Sequence, residues 1–173
     1  MQAVAEFHSL YIHVPFCQNI CDYCNLYSIV NNENNTRRAY LYKIDDQLAE
    51  STKQLQNLKS IFIGGGPPSQ LSIEELRVFL DSILKFTKGV KNSEFTMECN
   101  PSSVTPEKLK ILFDSGVNRL SFGAQSTTRK TRNALGRRTS KSQLENALIS
   151  AKKIGFENIN IDLIYGVPGQ ELQ

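Results

Sequence analysis

Three of the four cysteines in this 173-residue chain lie in one short segment, YIHVPFCQNICDYC. They are Cys17, Cys21 and Cys24. A structural zinc site takes four protein ligands, so zinc would have to recruit His8, His13 or Cys99. A cubane iron-sulfur cluster takes one thiolate per iron, and three cysteines would leave one iron open to a small molecule. The segment therefore favours a cluster over zinc, with a substrate or cosubstrate as the missing ligand.

The composition of the whole chain limits how these thiols are used. The chain is 40% hydrophobic and 21% charged, as expected of one globular domain with an apolar core. It contains no apolar run of the roughly 20 residues needed to cross a bilayer, and its N-terminus does not resemble a signal peptide. We therefore expect a cytoplasmic protein, or a mitochondrial one if a longer precursor exists. In a reducing compartment, clustered cysteines favour metal binding or redox chemistry over disulfides.

The charge of the chain gives little indication of its partners. A net charge of +3 is too small to indicate nucleic-acid binding. One basic stretch, residues 129–141, contains no Asp or Glu. Its simplest interpretation is a solvated face, unless an anionic ligand lies close to it.

Short apolar runs alternate with segments of helical periodicity, which is typical of βα units. The predicted strands are residues 9–14, 58–63, 94–99, 117–122 and 158–164. Three helices are predicted from their starting signals, which are Ser72 with Glu75, Thr105 with Pro106, and Ser140 with Gln143. A weaker apolar stripe predicts a first helix over residues 36–55, after an exposed loop at residues 31–35.

Alternate residues of a strand point to opposite faces of its sheet. In four of the predicted strands one set is apolar and the other is polar, and the polar set includes Glu98, Arg119 and Asp162. A doubly wound sheet would need two apolar faces under helices, whereas buried charges need partners. The sequence therefore predicts a polar cavity like that of a βα barrel, with its chemistry at the carboxyl ends of the strands.

Several candidate residues in this arrangement keep two interpretations. Gly64 to Gly66 fit either a tight turn or a turn that contacts a ligand. Glu98 and Asp162 fit either a binding site or structural ion pairs, and Arg137 fits either a ligand contact or a solvated surface. Alternation places Cys99 on the helix side of its strand, which makes it a poor fourth metal ligand.

Six segments in order resemble the N-terminal part of radical S-adenosylmethionine (SAM) proteins: YIHVPFCQNICDYC, FIGGGPPS, MECNP, GVNRLSFGAQS, LGRRT and NINIDLIYGVPGQ. The branch they resemble contains oxygen-independent coproporphyrinogen III oxidase and the related haem chaperones. The resemblance implies an α/β fold, a partial TIM-like (β/α)6 barrel, truncated here after about five strands. Residues 1–173 are then expected to be an incomplete radical SAM core domain, without the C-terminal domain that follows it.

The resemblance also implies the cofactors and the residues around them. The three clustered cysteines would hold a [4Fe-4S] cluster whose open iron binds the amino and carboxylate groups of SAM. An electron from the cluster would cleave SAM to methionine and a 5′-deoxyadenosyl radical. The residues implied to contact SAM or to lie beside it are Tyr11, Gly65, Gly66, Glu98, Gln125, Arg137 and Asp162. No residue is assigned as a catalytic acid or base.

Four positions depart from the pattern of this family. The oxidases carry a further cysteine where this chain has Leu26, and the haem chaperones lack it. Pro67 stands in place of a threonine, Thr139 in place of a histidine, and Thr127 in place of a phenylalanine. Each change weakens the expectation of full activity.

The leading hypothesis from the resemblance is a haem-chaperone-like radical SAM protein. It would bind haem or a porphyrin and take electrons from a donor such as a flavodoxin-type protein, with no nucleic-acid partner and no transmembrane segment. One alternative is a coproporphyrinogen III oxidase, which converts propionates to vinyl groups by oxidative decarboxylation. Another is a truncated relative that binds a cluster and catalyses nothing.

Overall fold

The computed structural model describes residues 6–30, 33–87 and 93–171. The strands are β1 (Ser9–Val14), β2 (Phe16–Cys17), β3 (Ile29–Val30), β4 (Ser60–Gly65), β5 (Glu94–Cys99), β6 (Arg119–Gln125) and β7 (Asn158–Leu163). The α-helices are α1 (Asn34–Glu50), α2 (Ile73–Thr87), α3 (Pro106–Asp114), α4 (Arg129–Ala134) and α5 (Lys141–Ile154). Short 3-10 helices lie at Gln54–Asn57 and Pro68–Gln70.

The strands β1, β4, β5, β6 and β7 form one parallel sheet in that order. Each step to the next strand of the sheet passes through at least one helix, as in a βα barrel. A separate parallel pair, β2 with β3, brackets the cysteine segment. These observations confirm the predicted α/β fold with five parallel strands.

The helix-starting signals of the sequence form as predicted. The backbone N–H of Ser72 donates to Oε2 of Glu75 at 2.8 Å, and the backbone N–H of Glu75 donates back to Oγ of Ser72 at 3.2 Å. Ser140 and Gln143 make the same reciprocal pair, at 2.8 and 3.1 Å. Thr105 caps α3 through its hydroxyl oxygen. Each pair satisfies backbone groups that a helix end would otherwise leave unpaired.

Both predicted ends of the first helix are wrong, and the short helix α4 was not predicted. The helix α1 begins at Asn34, inside the loop predicted at residues 31–35, of which residues 31 and 32 lie outside the described chain. It ends at Glu50, and the 3-10 helix that follows carries Leu55 into the core. The helix α4 has only six residues, RKTRNA, and no apolar stripe that would reveal it.

The two faces of the sheet differ as the alternation predicts. Most helix-side residues of β1, β4, β5 and β6 are buried, among them Val14, Met97 and Phe122. The exception is β7, where Ile161 and Leu163 are 40% and 62% exposed. This strand lies at the edge of the sheet, and the described residues 164–171 form no helix to cover it. No helix in the described chain is long and apolar enough to span a membrane.

Candidate cofactor site

The carboxyl ends of the parallel strands surround a cavity of about 420 Å³. Eight of the ten residues predicted from the sequence line it: Cys17, Cys21, Cys24, Gly65, Glu98, Gln125, Arg137 and Asp162. The other two, Tyr11 and Gly66, lie outside its lining. The fold thus brings together residues from five segments that are far apart in the sequence.

The cysteine segment is closed into a loop by its own backbone hydrogen bonds. Cys17 ends β2, and the backbone N–H of Ile29 donates to the carbonyl of Pro15 at 2.8 Å, which closes the segment into a loop. Within the loop, the N–H of Cys24 donates to the carbonyl of Cys21 at 3.0 Å. All three cysteines are half-buried, which leaves their thiols accessible from the cavity.

The three thiols share one electrostatic environment. Burial raises the pKa of the Cys17 thiol, and the neighbouring Cys24 and Cys21 raise it further, while Ser28 and Arg137 lower it. Nη1 of Arg137 lies 3.9 Å from Sγ of Cys21. A cation at this place stabilises thiolates, which are the form that binds metal.

The spacing of these donors bears on the choice between a cluster and a single ion. Among residues 6–30, 33–87 and 93–171, no three His, Cys, Asp or Glu side chains converge closely enough to hold one metal ion. A zinc ion requires ligands that all approach within about 2.3 Å of one point, whereas the thiolates of a cubane bind separate irons. Three accessible thiols on one loop are the donor set that such a cluster would use.

The fourth cysteine, Cys99, is placed apart from the other three. It borders the cavity, but it is only 2% exposed and its Sγ lies 3.9 Å from the carbonyl of Met97. Burial raises its pKa to about 12, which disfavours the thiolate that a metal needs. Cys99 is therefore buried, as the alternation predicts, but it also borders the cavity from which the alternation was expected to exclude it.

The glycine segment meets Glu98 at one side of the cavity. The N–H of Gly65 donates to Oε2 of Glu98 at 3.1 Å, and the φ of Gly65 is +106°. A Cβ on Gly64 would lie 2.9 Å from the Glu98 carboxyl group, and one on Gly66 would lie 2.6 Å from the carbonyl oxygen of Phe16. Gly64 therefore leaves room for the carboxylate and Gly65 donates to it, whereas Gly66 leaves room for the backbone of the cysteine segment.

Arg137 carries an unsatisfied donor beside the cavity. Its Nη2 donates to the carbonyl of Gly123 at 2.5 Å, but its buried Nε has no partner in the described chain. A Cβ on Gly123 would meet Arg137 at 3.0 Å and Gln125 at 2.9 Å, so glycine is needed for the two side chains to approach. An orphaned guanidinium donor fits a ligand that brings an oxygen acceptor, such as the carboxylate of SAM.

The two inward carboxylates have no ion-pair partner among the described residues. Burial raises the pKa of Glu98, and the charge of Asp162 raises it further. Asp162 accepts hydrogen bonds from Ser121 at 3.2 Å and from Asn160 at 2.7 Å. The structural ion-pair interpretation therefore has no support here, and both groups remain able to accept from a ligand.

Tyr11 lies beside the cavity and acts on it through another residue. It is 54% exposed, and its hydroxyl lies 2.9 Å from Nδ1 of His13. The other ring nitrogen of His13 lies 2.7 Å from the carbonyl oxygen of Tyr27, in the cysteine segment. Tyr11 thus orients a histidine that ties β1 to this segment.

The sequence prediction missed some residues that line the cavity. The most informative are Asn100 and Arg138, which come from the loop after β5 and the segment before α5. Alternation with Glu98 placed Asn100 on the polar side of the sheet, at the carboxyl end of its strand, but it was not named as a binding residue. Arg138 was only one member of a basic stretch, and nothing in its type or spacing distinguishes it from a solvated residue.

Comparison with known proteins shows what the chain is similar to. A family model described as the radical SAM superfamily matches residues 11–173. The chain is 41% identical over 170 residues to the heme chaperone HemW of Bacillus subtilis (strain 168), covering 95% of this chain and 44% of that protein. It is 29% identical over 167 residues to oxygen-independent coproporphyrinogen III oxidase of Synechocystis sp., covering 95% of this chain and 36% of that protein.

A solved structure shares the same fold. Coproporphyrinogen III oxidase (HemN) from Escherichia coli, described as a radical SAM enzyme, superposes with a TM-score of 0.85 at 27% sequence identity. The match covers 94% of this chain and 38% of that one. The chain therefore spans less than half the length of the relatives it matches.

Proposed function

The chain belongs to the radical SAM superfamily, and from this premise we propose that it holds a [4Fe-4S] cluster and SAM in the cavity described above. Cys17, Cys21 and Cys24 are the proposed cluster ligands. The observation that carries the proposal is that these thiols line one cavity together with Arg137, whose buried Nε has no partner in the described chain. We further propose that residues 1–173 form one radical SAM core domain.

The side chains around the cavity have matching roles toward SAM. Glu98, with no ion-pair partner in the described chain, accepts from the ammonium group, and Arg137 donates to the carboxylate. Gly65, Gln125 and Asp162 supply further polar contacts. When bound, the cluster and SAM supply a 5′-deoxyadenosyl radical, which is the chemistry of the cofactors and not of these residues.

For the whole protein we propose a haem-chaperone-like function, with haem or a porphyrin as the ligand. Support comes from the 41% identity to a protein named heme chaperone HemW, and from Leu26, which stands where the resembled oxidases carry a cysteine. In the structure Leu26 is 52% exposed and lines the cavity. A flavodoxin-type electron donor and a cytoplasmic location remain predictions.

A second candidate function is coproporphyrinogen III oxidation. The TM-score of 0.85 against a solved oxidase, over 94% of this chain, favours it. The two candidate functions can be told apart by what happens to the ligand, since an oxidase releases a vinyl product and a chaperone retains haem.

One experiment tests both candidates. The chain is reconstituted anaerobically, and about four irons and four sulfides per chain are expected, with a spectrum that changes when SAM is added. Haem is then titrated, and in parallel coproporphyrinogen III is supplied with SAM and reductant. Saturable haem binding without vinyl product supports the chaperone proposal, and vinyl product replaces it with the oxidase. A chain that takes up no cluster refutes the cofactor proposal itself.

A further inference from the structure

Asn100, the residue after β5, lines the cavity and is fixed by its neighbours. Its backbone N–H donates to Oγ of Ser69 at 2.9 Å, and its carbonyl accepts from the N–H of Ser103 at 2.9 Å. Its side-chain Oδ1 accepts from the N–H of Ser102 at 3.1 Å, from the hydroxyl of Ser102 at 3.0 Å and from the hydroxyl of Thr139 at 2.9 Å. The side chain is therefore held in one orientation.

These contacts determine which end of the amide is free. The backbone N–H of Ser102 can only donate, so the Asn100 atom that faces it must be the oxygen. Nδ2 is left with two N–H donors, and in the described chain it has no acceptor. It is not among the side-chain atoms that are buried without a partner. Since Asn100 lines the cavity, we take this group to be open to the cavity.

Arg138 adds a positive charge to the same lining. It is exposed, it lines the cavity, and it forms no hydrogen bond or ion pair with a described residue. Two other cations of the basic stretch have partners: Arg132 donates to the carbonyl of Ser126, and Lys141 pairs with Glu145. Arg138 is followed directly by Thr139, which bonds Asn100.

We propose that Asn100 and Arg138 form a carboxylate subsite, with Thr139 as its positioning residue. An amide NH2 group and a guanidinium offer donors only, and together they favour an anion with two acceptor oxygens. The carboxylates already in the cavity do not occupy this subsite, since Glu98 accepts from Gly65 and Asp162 from Ser121 and Asn160.

This inference rests on the proposed function, which supplies two sources of a carboxylate. One is the methionyl group of SAM, and the other is a propionate of the porphyrin. The subsite also gives a role to Thr139, which stands where the resembled family carries a histidine. Thr139 is 4% exposed, and its hydroxyl donates to Oδ1 of Asn100.

The test measures binding of two probes, SAM and coproporphyrin III, to the anaerobically reconstituted chain by calorimetry. Asn100→Asp keeps the Oδ1 acceptor and replaces the donor with a negative oxygen, and Arg138→Gln removes the charge. Matched controls outside the cavity lining are Asn133→Asp and Arg129→Gln. We expect the two subsite variants to weaken binding of one probe about tenfold or more, and the controls to leave it unchanged.

The positioning role of Thr139 has its own readout. Thr139→Val removes the hydroxyl that orients Asn100 and should weaken the same probe, whereas Thr139→Ser keeps the hydroxyl and should restore binding. Loss confined to coproporphyrin III assigns the subsite to the substrate, and loss confined to SAM assigns it to the cofactor. If the wild type binds both probes and all variants match their controls, the subsite is refuted and the proposed function stands. If the wild type binds neither probe, the proposed function fails and the subsite with it.

Discussion

Nη1 of Arg137 lies 3.9 Å from Sγ of Cys21, although 116 residues separate the two in the chain. The same region makes a second contact, in which the N–H of Asp22 donates to the carbonyl of Leu135 at 3.3 Å. Between these contacts, a Cβ on Gly136 would lie 2.8 Å from Oδ2 of Asp22. The segment before α5 therefore supports the cysteine loop as well as lining the cavity.

Gly136→Ala should displace the cysteine loop and lower cluster uptake several-fold. The φ of Gly136 is +65°, and the added methyl group would meet the Asp22 carboxylate. The positive φ alone costs about 1–2 kcal/mol for a residue with a Cβ, so a matched control is needed. Gly169→Ala has a φ of +76° and open space around the new Cβ. Iron and sulfide per chain are measured after reconstitution, and equal values for the two variants would contradict this role of Gly136.

Single replacement of Cys17, Cys21 or Cys24 by Ser should abolish stable cluster binding. Each thiolate is expected to hold one iron, so the loss of any one thiol leaves an iron without its protein ligand. Cys99→Ala should leave the cluster intact, because this thiol is buried on the helix side of β5. Absorption spectra and iron content of the four variants decide the matter. Loss of the cluster in Cys99→Ala with the fold retained would show that Cys99 is a ligand.

The sequence predicted the sheet well because its strands are short apolar runs bounded by clear turn and capping signals. The alternation of Glu98 with Phe95 and Met97 was enough to separate the cavity face from the helix face. The alternation did not predict burial at β7, where Ile161 and Leu163 follow the apolar pattern but are exposed. Periodicity reports which face a residue takes, and burial depends on what covers that face.

The cavity lining was predicted only in part, for a physical reason. Charged residues on strands, such as Glu98 and Asp162, stand out because burying them needs a partner. Asn100 and Thr139 are neutral loop residues, and their alignment depends on a contact across 39 residues of chain. Gly66 is a glycine in a turn where contact with a ligand was expected, but in the structure its missing side chain leaves room for the backbone of Phe16.

Glu75→Ala should destabilise the fold by about 2 kcal/mol or more at neutral pH, whereas Glu74→Ala should cost less than about 0.5 kcal/mol. Glu75 caps α2 through Ser72 and pairs with Arg37 of α1 at 2.9 Å, with its side chain 8% exposed. Glu74 is 78% exposed in its pair with Arg38. Chemical denaturation of both variants measures the difference. Equal losses would show that the buried pair contributes no more than the exposed one.

The stabilisation by Glu75 should also depend on pH. Burial alone would raise the pKa of Glu75, but hydrogen bonds from Arg37 and Ser72 outweigh it and hold the pKa below its usual value. A carboxylate with a lowered folded-state pKa stabilises the fold above its unfolded pKa of about 4.3. This stability is lost as the pH falls through the folded-state value. The gap between wild type and Glu75→Ala should therefore narrow in acid, and a constant gap would contradict the ionic contribution.

Glu98→Gln should weaken SAM binding about tenfold or more, because it removes a charge-assisted hydrogen bond to the ligand. The same change should leave the cluster-free protein as stable as the wild type, or more so, at pH 7. Burial raises the pKa of Glu98, so its ionised form is disfavoured in the fold. Stability is then fully present below the unfolded pKa and falls as the pH rises through the raised folded value. A neutral Gln avoids that loss and still accepts the N–H of Gly65.

The pH dependence of SAM affinity separates this role from a structural one. In the wild type, affinity should fall as the pH is lowered through the raised pKa of Glu98, because the carboxylate that accepts from the ammonium group is being protonated. In Glu98→Gln that dependence should flatten. Glu94→Gln, at the exposed start of the same strand, is the matched control and should behave as the wild type. A Glu98→Gln variant that is less stable than wild type at pH 7 but binds SAM equally well would make Glu98 a structural residue, since its charge would then serve the fold and not the ligand.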